Sequence, residues 1–250
     1  MSGAKPSAVG LSSDQPIKGP GEDVLDRGPL VEILKDEIQA APTSDGFVMA
    51  LTAPWGEGKT SVLNLIARKM GDEAVVIRFN PWLFSDTEAL VVRFFGELGG
   101  QVQKDQSLRR VGKRLLSYGQ TVAPLTSIVL GPAANVAGQS LAALAAVESR
   151  SVLEEREKLK DALLQRERRL LVLMDDIDRL HPNEILDVFR LVKLVGDLPY
   201  VTYLLAFDRP YVEQALGKER QVDGRSYLEG GASQLRPAGD TPNRNPSSPA

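Results

Sequence analysis

The stretch LTAPWGEGKTS, residues 51–61, decides how the rest of the chain is read. It follows the phosphate-binding pattern G-x-x-x-x-G-K-[ST] except at the first position, where Ala53 stands in place of glycine. In such a loop, backbone N–H groups backed by a helix N-terminus converge on phosphate, a lysine meets the β and γ oxygens, and a hydroxyl binds magnesium. Ala53, Pro54, Trp55, Gly56, Glu57, Gly58, Lys59, Thr60 and Ser61 are therefore the candidate nucleotide-binding residues, with Thr60 also a candidate metal ligand. Alanine is tolerable at position 53 if its φ is negative, so weakened optimisation is expected rather than lost binding. Glu57 would oppose phosphate unless it faces solvent, and Trp55 reads as a packing or lid residue.

The flanks supply the context that the pattern requires. GFVMALT (46–52) is a short apolar strand ending at the loop, and a helical pattern runs from Lys59 to Met70. Upstream, a helix is expected near Leu30 to Ala40. Downstream, EAVVIRFNPW (73–82) reads as a strand, and SDTEALVVRFFGELGGQV (85–102) as a helix capped by Ser85 or Asp86. The charged helix SVLEEREKLKDALLQRERR (151–169) then leads into LLVLMDD (170–176), a strand apolar on both faces and hence central. NEILDVFRLVKLVG (183–196) and YVTYLLAFD (200–208) complete an alternation of helix and strand that predicts an α/β fold with a parallel sheet.

Two stretches depart from the alternation. No charged residue occurs from Leu115 to Val147, which permits a packed Ala/Gly-rich insertion or a membrane hairpin; Gln120, Pro124, Pro132, Asn135 and Gln139 interrupt any uniformly apolar span. The packed insertion is the preferred reading, with membrane association through 115–147 as the alternative. Residues 1–22 and 230–250, rich in Ser, Gly and Pro, read as a flexible lead-in and a disordered tail around a domain at 23–229, within which 115–169 is a helical insertion.

Composition narrows the chemistry. A net charge of -3 gives no strong signal for nucleic-acid binding. With no cysteine and only one histidine, thiolate zinc sites and multi-histidine metal centres are excluded. The N-terminus lacks the apolar core of a secretory signal, so the cytoplasm is the expected location. His181 precedes Pro182, Asn183 and Glu184, a helix-start pattern that gives it a boundary role.

Hydrolysis needs a carboxylate for the magnesium shell and a second group to orient or deprotonate water. LLVLMDDIDRL offers Asp175 for the metal and Asp176 for the water. Asp178 and Arg179 suit either a structural ion pair or, for Arg179, contact with nucleotide or a neighbouring subunit. Asp208 and Arg209, at the end of the next strand, read equally as phosphate sensors or as a solvated turn.

APWGEGKTS, RFNPWLF, LLVLMDDIDRL and YVTYLLAFDRPYVEQAL, in that order, resemble the KAP family of P-loop NTPases over roughly residues 14–229. The resemblance implies a three-layer sheet of the ASCE type, with an extra strand between the phosphate-loop strand and the acidic strand. It also implies ATP with Mg2+, and an insertion that carries membrane helices in many members. Carried over residue by residue, Lys59 and Thr60 form the phosphate-loop pair, Asp175 and Asp176 the acidic pair, Asp178 and Arg179 the signature that follows, and Asn80 and Trp82 an Asn-x-Trp of structural role.

Compared with the family, the chain reads as C-terminally truncated, its composition shifting abruptly after Tyr227. Two functions follow as expectations: an ATPase driving a conformational or assembly cycle, or a nucleotide-binding regulatory module without efficient hydrolysis. A small-molecule kinase is the weaker enzyme reading. Some bacterial relatives are associated with defence against phage or plasmids. A homo-oligomer, or an unidentified protein partner, is the expected assembly, with Arg179 or Arg209 a candidate trans-acting arginine.

Overall fold

A computed structural model describes residues 15–83, 87–129, 140–220 and 236–237. Apolar residues alternate along the strands β1 (Phe47–Thr52), β2 (Ala74–Phe79), β3 (Arg169–Met174) and β4 (Val201–Phe207), so each strand feeds two cores. In β3, Leu170, Val172 and Met174 join one core while Leu171 and Leu173 join the other. Burial on both faces explains the nearly continuous apolar text of β3 and β4.

The strands pair in the order β2-β3-β4-β1, all parallel, and the two-residue strand β5 (Arg236–Pro237) pairs beyond β1. β4 thus lies between the phosphate-loop strand β1 and the acidic strand β3, as the resemblance implied. Because all four long strands are parallel, their C-terminal ends meet on one edge of the sheet. That edge carries the phosphate loop after β1, Asn80 after β2, Asp175 after β3 and Asp208 after β4.

One face of the sheet is covered by α1 (Gly28–Ala40) and α2 (Lys59–Met70), through Val31, Leu34, Ile38, Leu63 and Ile66. The opposite face carries α3 (Thr87–Val102), α4 (Arg109–Val129), α5 (Ser140–Leu164), α6 (Pro182–Val195) and α7 (Arg209–Arg220). The expected helices and strands are present, most with small shifts at their ends, but α5 starts at Ser140 and ends at Leu164 where a helix over 151–169 was expected; the proposed Ser85 or Asp86 cap lies outside the described residues.

The uncharged stretch enters the fold as the second half of α4 and the start of α5. Leu115, Tyr118 and Val122 are buried in the same core as Phe94 and Phe95 of α3, with edge-on contacts running Phe79, Phe94, Phe95 and Tyr118. Gly99 of α3 and Gly112 of α4 let the two helices cross closely, since a Cβ on either would lie under 3.0 Å from the other's carbonyl oxygen. Among the described residues, no helix is long and apolar enough to cross a membrane. Residues 130–139, within the expected insertion, lie outside the described residues.

The lead-in is described from residue 15 onward. The Ile17 amide donates to Ser61 Oγ at 3.3 Å, and Asn64 Nδ2 donates to the Ile17 carbonyl at 2.9 Å, which straps the segment onto α2. Pro20–Glu22 forms a 3-10 turn behind a buried Gly19. Backbone bonding to two polar side chains of α2 supplies the order that its Ser/Gly/Pro composition does not. Of the tail, only Arg236–Pro237 is described, and it pairs with Met49 and Ala50.

Candidate functional site

The phosphate loop turns from β1 into α2 through two left-handed glycines, Gly56 at φ 87° and Gly58 at φ 81°. Only glycine adopts such angles without cost, so these two positions shape the bend. Ala53 is absent from the residues with positive φ, and the loop is built without strain where the pattern's first glycine would stand. Its amide donates to the Phe207 carbonyl at 3.4 Å, tying the loop to the end of β4. Glu57 faces solvent as expected, and Trp55 is 72% exposed, which places it off the core as an uncovered surface residue.

Lys59, the first residue of α2, is buried to 9% exposure. Its ammonium donates to the Ala53 carbonyl at 3.0 Å and the Pro54 carbonyl at 3.2 Å, and pairs with Asp178 Oδ2 at 3.1 Å. Thr60 lies beside it with its hydroxyl hydrogen-bonded to Asp175. Ser61, next along the helix, turns its hydroxyl to the Ile17 amide instead, so it belongs to the lead-in contact rather than to the mouth of the loop. A step of one residue around a helix rotates a side chain by about 100°, which separates Thr60 from Ser61.

The acidic strand ends in three carboxylates with three different settings. Burial pushes the Asp175 carboxyl above its usual range; hydrogen bonds from Thr60 and from the Asp176 amide (2.9 Å) oppose the shift, and the neighbouring charges of Asp176 and Asp178 add to it. Asp176 takes a left-handed conformation (φ 60°), a strained backbone that aspartate tolerates better than most residues. Both its oxygens are held: Asn80 Nδ2 donates to Oδ2 at 2.8 Å and Arg179 Nε pairs with Oδ1 at 2.7 Å. Asp178 receives Lys59 and, on the same Oδ2, the Asp208 amide at 3.0 Å.

Asn80 carries more than the structural role read from Asn-x-Trp. Its Oδ1 accepts the Trp82 amide at 3.0 Å while its amide nitrogen holds Asp176, so the end of β2 fixes a carboxylate at the end of β3. A cleft of about 290 Å³ opens beside this pair, lined by Leu63, Phe79, Asn80, Leu173 and Asp175 among others. Asp208 caps α7, its Oδ1 accepting the Tyr211 amide at 3.3 Å, and Arg209 pairs with Glu213 at 2.7 Å. His181 stands at the N-terminus of α6 with its amide donating to Glu184 Oε2 at 2.8 Å, a boundary role as expected.

The sequence reading missed Asp23 and Arg27. Their side chains pair at 3.0 Å with little exposure, and the Arg27 guanidinium lies against Gly58. The i, i+4 spacing of Asp23 and Arg27 was the available signal, though it says nothing of the loop that Arg27 covers.

Residues 27–230 match the KAP family P-loop domain. The chain belongs to the KAP family. Its relatives include the phage T7 exclusion protein of Escherichia coli (strain K12), 28% identical over 250 aligned residues that cover 86% of this chain and 33% of that protein. This KAP chain thus spans about a third of that relative's length. Among solved structures it is similar to the Aeropyrum pernix ORC2 protein (ADPNP-ADP complexes), at 13% identity and a TM-score of 0.38, covering 86% of this chain and 47% of that one.

The donor set fits a hard divalent cation only in part. Thr60 and Asp175 offer a hydroxyl and a carboxylate already in contact, a suitable pair of oxygens for magnesium. Among the described residues no group of three or more His, Asp or Glu side chains forms a self-sufficient metal centre. A magnesium ion here would take its remaining oxygens from nucleotide phosphate and water.

Proposed function

We propose that this KAP domain binds ATP with Mg2+ and hydrolyses it to drive a conformational or assembly cycle. The reading is carried by one observation: a glycine-bent loop ending in Lys59 and Thr60 lies beside Asp175, with Asp176 next to it, at the shared edge of a parallel sheet. In this reading the amides at the start of α2 and the Lys59 ammonium receive the phosphates, while Thr60 and Asp175 hold the magnesium, which supplies charge neutralisation on the phosphate oxygens. Asp176, oriented by Asn80, accepts the proton of the attacking water. Arg179, half-exposed and paired with Asp176, is able to face an added phosphate or a neighbouring subunit by giving up that pair.

We place the reaction in the cytoplasm, where ATP and magnesium are supplied, and take phage exclusion, which names the E. coli relative, as the first biological output to test. The deciding experiment is steady-state phosphate release with Mg-ATP, run beside Lys59→Ala and over a protein-concentration series. Release that disappears in the variant supports the ATPase, and a steep concentration dependence points to an arginine acting across a subunit contact. ATP binding without release replaces the ATPase with a nucleotide-gated regulatory module.

A further inference from the structure

We infer that Asp178 is a positioning residue that holds the phosphate-loop lysine and passes nucleotide occupancy to the N-terminal turn of α7. The inference rests on the ATP-binding reading above and goes further, because it assigns a read-out to a residue outside the magnesium and water-activating pair.

The donors of Lys59 are all engaged. An ammonium has three N–H groups, and here three acceptors use them: the carbonyls of Ala53 and Pro54 and the carboxylate of Asp178. An incoming phosphate oxygen must therefore displace one. The two carbonyls belong to the loop that receives the phosphates, so they stay with the lysine as the loop fills. Asp178 is the acceptor that competes, since it bears the same sign of charge as the phosphate and a single lysine cannot neutralise both.

Displacement has a defined consequence. The Asp178 side chain is only 6% exposed, and among the described residues Oδ2 has one other partner, the Asp208 amide at 3.0 Å. A buried carboxylate that loses its counter-charge leans harder on its remaining donor or moves toward water and takes that contact with it. Either response acts on the first turn of α7, where Asp208 also receives the Tyr211 amide on Oδ1 and the Val212 amide on its carbonyl at 3.1 Å. One oxygen atom thus joins the lysine of the phosphate loop to the start of a helix packed against α6. The neighbouring acids make no such link, because Asp175 bonds Thr60 and the Asp176 amide while Asp176 bonds Asn80 and Arg179.

Hydrogen exchange on the unmodified chain tests the coupling, with ATP, ADP and AMP compared at saturation. ATP and ADP, which carry a β-phosphate to take the lysine, should change exchange at the amides of Asp208, Tyr211 and Val212, and AMP should not. Asp178→Asn keeps an acceptor for the Asp208 amide but removes the competing charge. It should bind ATP and ADP about tenfold more tightly than the native chain, leave AMP affinity unchanged, and abolish the nucleotide-dependent change at α7. Equal or weaker ATP affinity in Asp178→Asn, or α7 amides that ignore bound ATP in the native chain, overturns the inference while leaving ATP binding standing. No binding of any nucleotide to the native chain removes both readings together.

Discussion

Substituting Gly58 by alanine perturbs the loop and Arg27 at once, and the two effects can be separated. At φ 81° an L-residue meets the left-handed penalty of about 1–2 kcal/mol. The added Cβ also collides with Arg27: Nη2 in hard overlap, Cζ at 3.1 Å and Nε at 3.3 Å. A guanidinium at the end of a flexible side chain can swing aside, but doing so breaks its pair with Asp23, which contributes roughly 0.5–1 kcal/mol at side-chain exposures of 15% and 8%. Together the single substitution should cost about 1.5–3 kcal/mol, or a fall in Tm of roughly 3–12 °C for a chain of this size. Urea unfolding followed by circular dichroism measures it. In an Arg27→Ala background the collision is absent, so Gly58→Ala should then cost only the backbone strain, about 1–2 kcal/mol. Equal costs in the two backgrounds would refute the placement of Arg27 over the loop.

Asp175→Asn should raise the Tm of the nucleotide-free protein at pH 7. The Asp175 carboxyl titrates above its usual range because burial disfavours its charge, so its contribution to stability is present below the ordinary aspartate pKa and is lost as pH rises through the raised value. The advantage of the variant should therefore shrink toward acid pH, and its stabilisation by Mg-ATP should fall; a lower Tm than the native chain at pH 7 would contradict the assignment. Asn80→Ala should leave ATP affinity within about twofold while lowering kcat about tenfold, because it frees one oxygen of Asp176 without touching the phosphate loop; unchanged kcat removes Asn80 from the orientation of Asp176. Tyr118→Phe should be neutral or stabilising by up to about 1 kcal/mol, since the buried hydroxyl has no hydrogen-bond partner among the described residues. A loss above about 1 kcal/mol in chemical denaturation would mean that the hydroxyl is bonded in solution.

What the sequence made legible was local. LLVLMDD could only be a strand buried on both faces, and the loop from Ala53 to Thr60 had to join a strand to a helix, because those readings depend on side-chain period and on neighbours a few residues away. The uncharged run from 115 to 147 was ambiguous for the same reason: its composition suits packing against Phe94 and Phe95 as well as it suits lipid, and only the crossing of α3 and α4 at Gly99 and Gly112 distinguishes the two over the described part. The bond from the Ile17 amide to the Ser61 hydroxyl was not legible either, because the motif gives residue types without the rotation that turns each side chain away from its neighbour.

The partner of Asp178 was hidden for a different reason, which lies in the strand order. The chain reaches β3 before β4, yet β4 inserts between β3 and the phosphate-loop strand β1. That insertion brings the end of β4 against both motifs, so that the Phe207 carbonyl receives the Ala53 amide while the next residue, Asp208, gives its amide to Asp178. Asp178 in turn receives Lys59, closing a path from loop to acid to β4 and back to the loop. In a sheet ordered as the chain is, the acid and the lysine would lack this shared neighbour. The middle position of β4 therefore makes a residue after the acidic pair sensitive to what the phosphate loop holds.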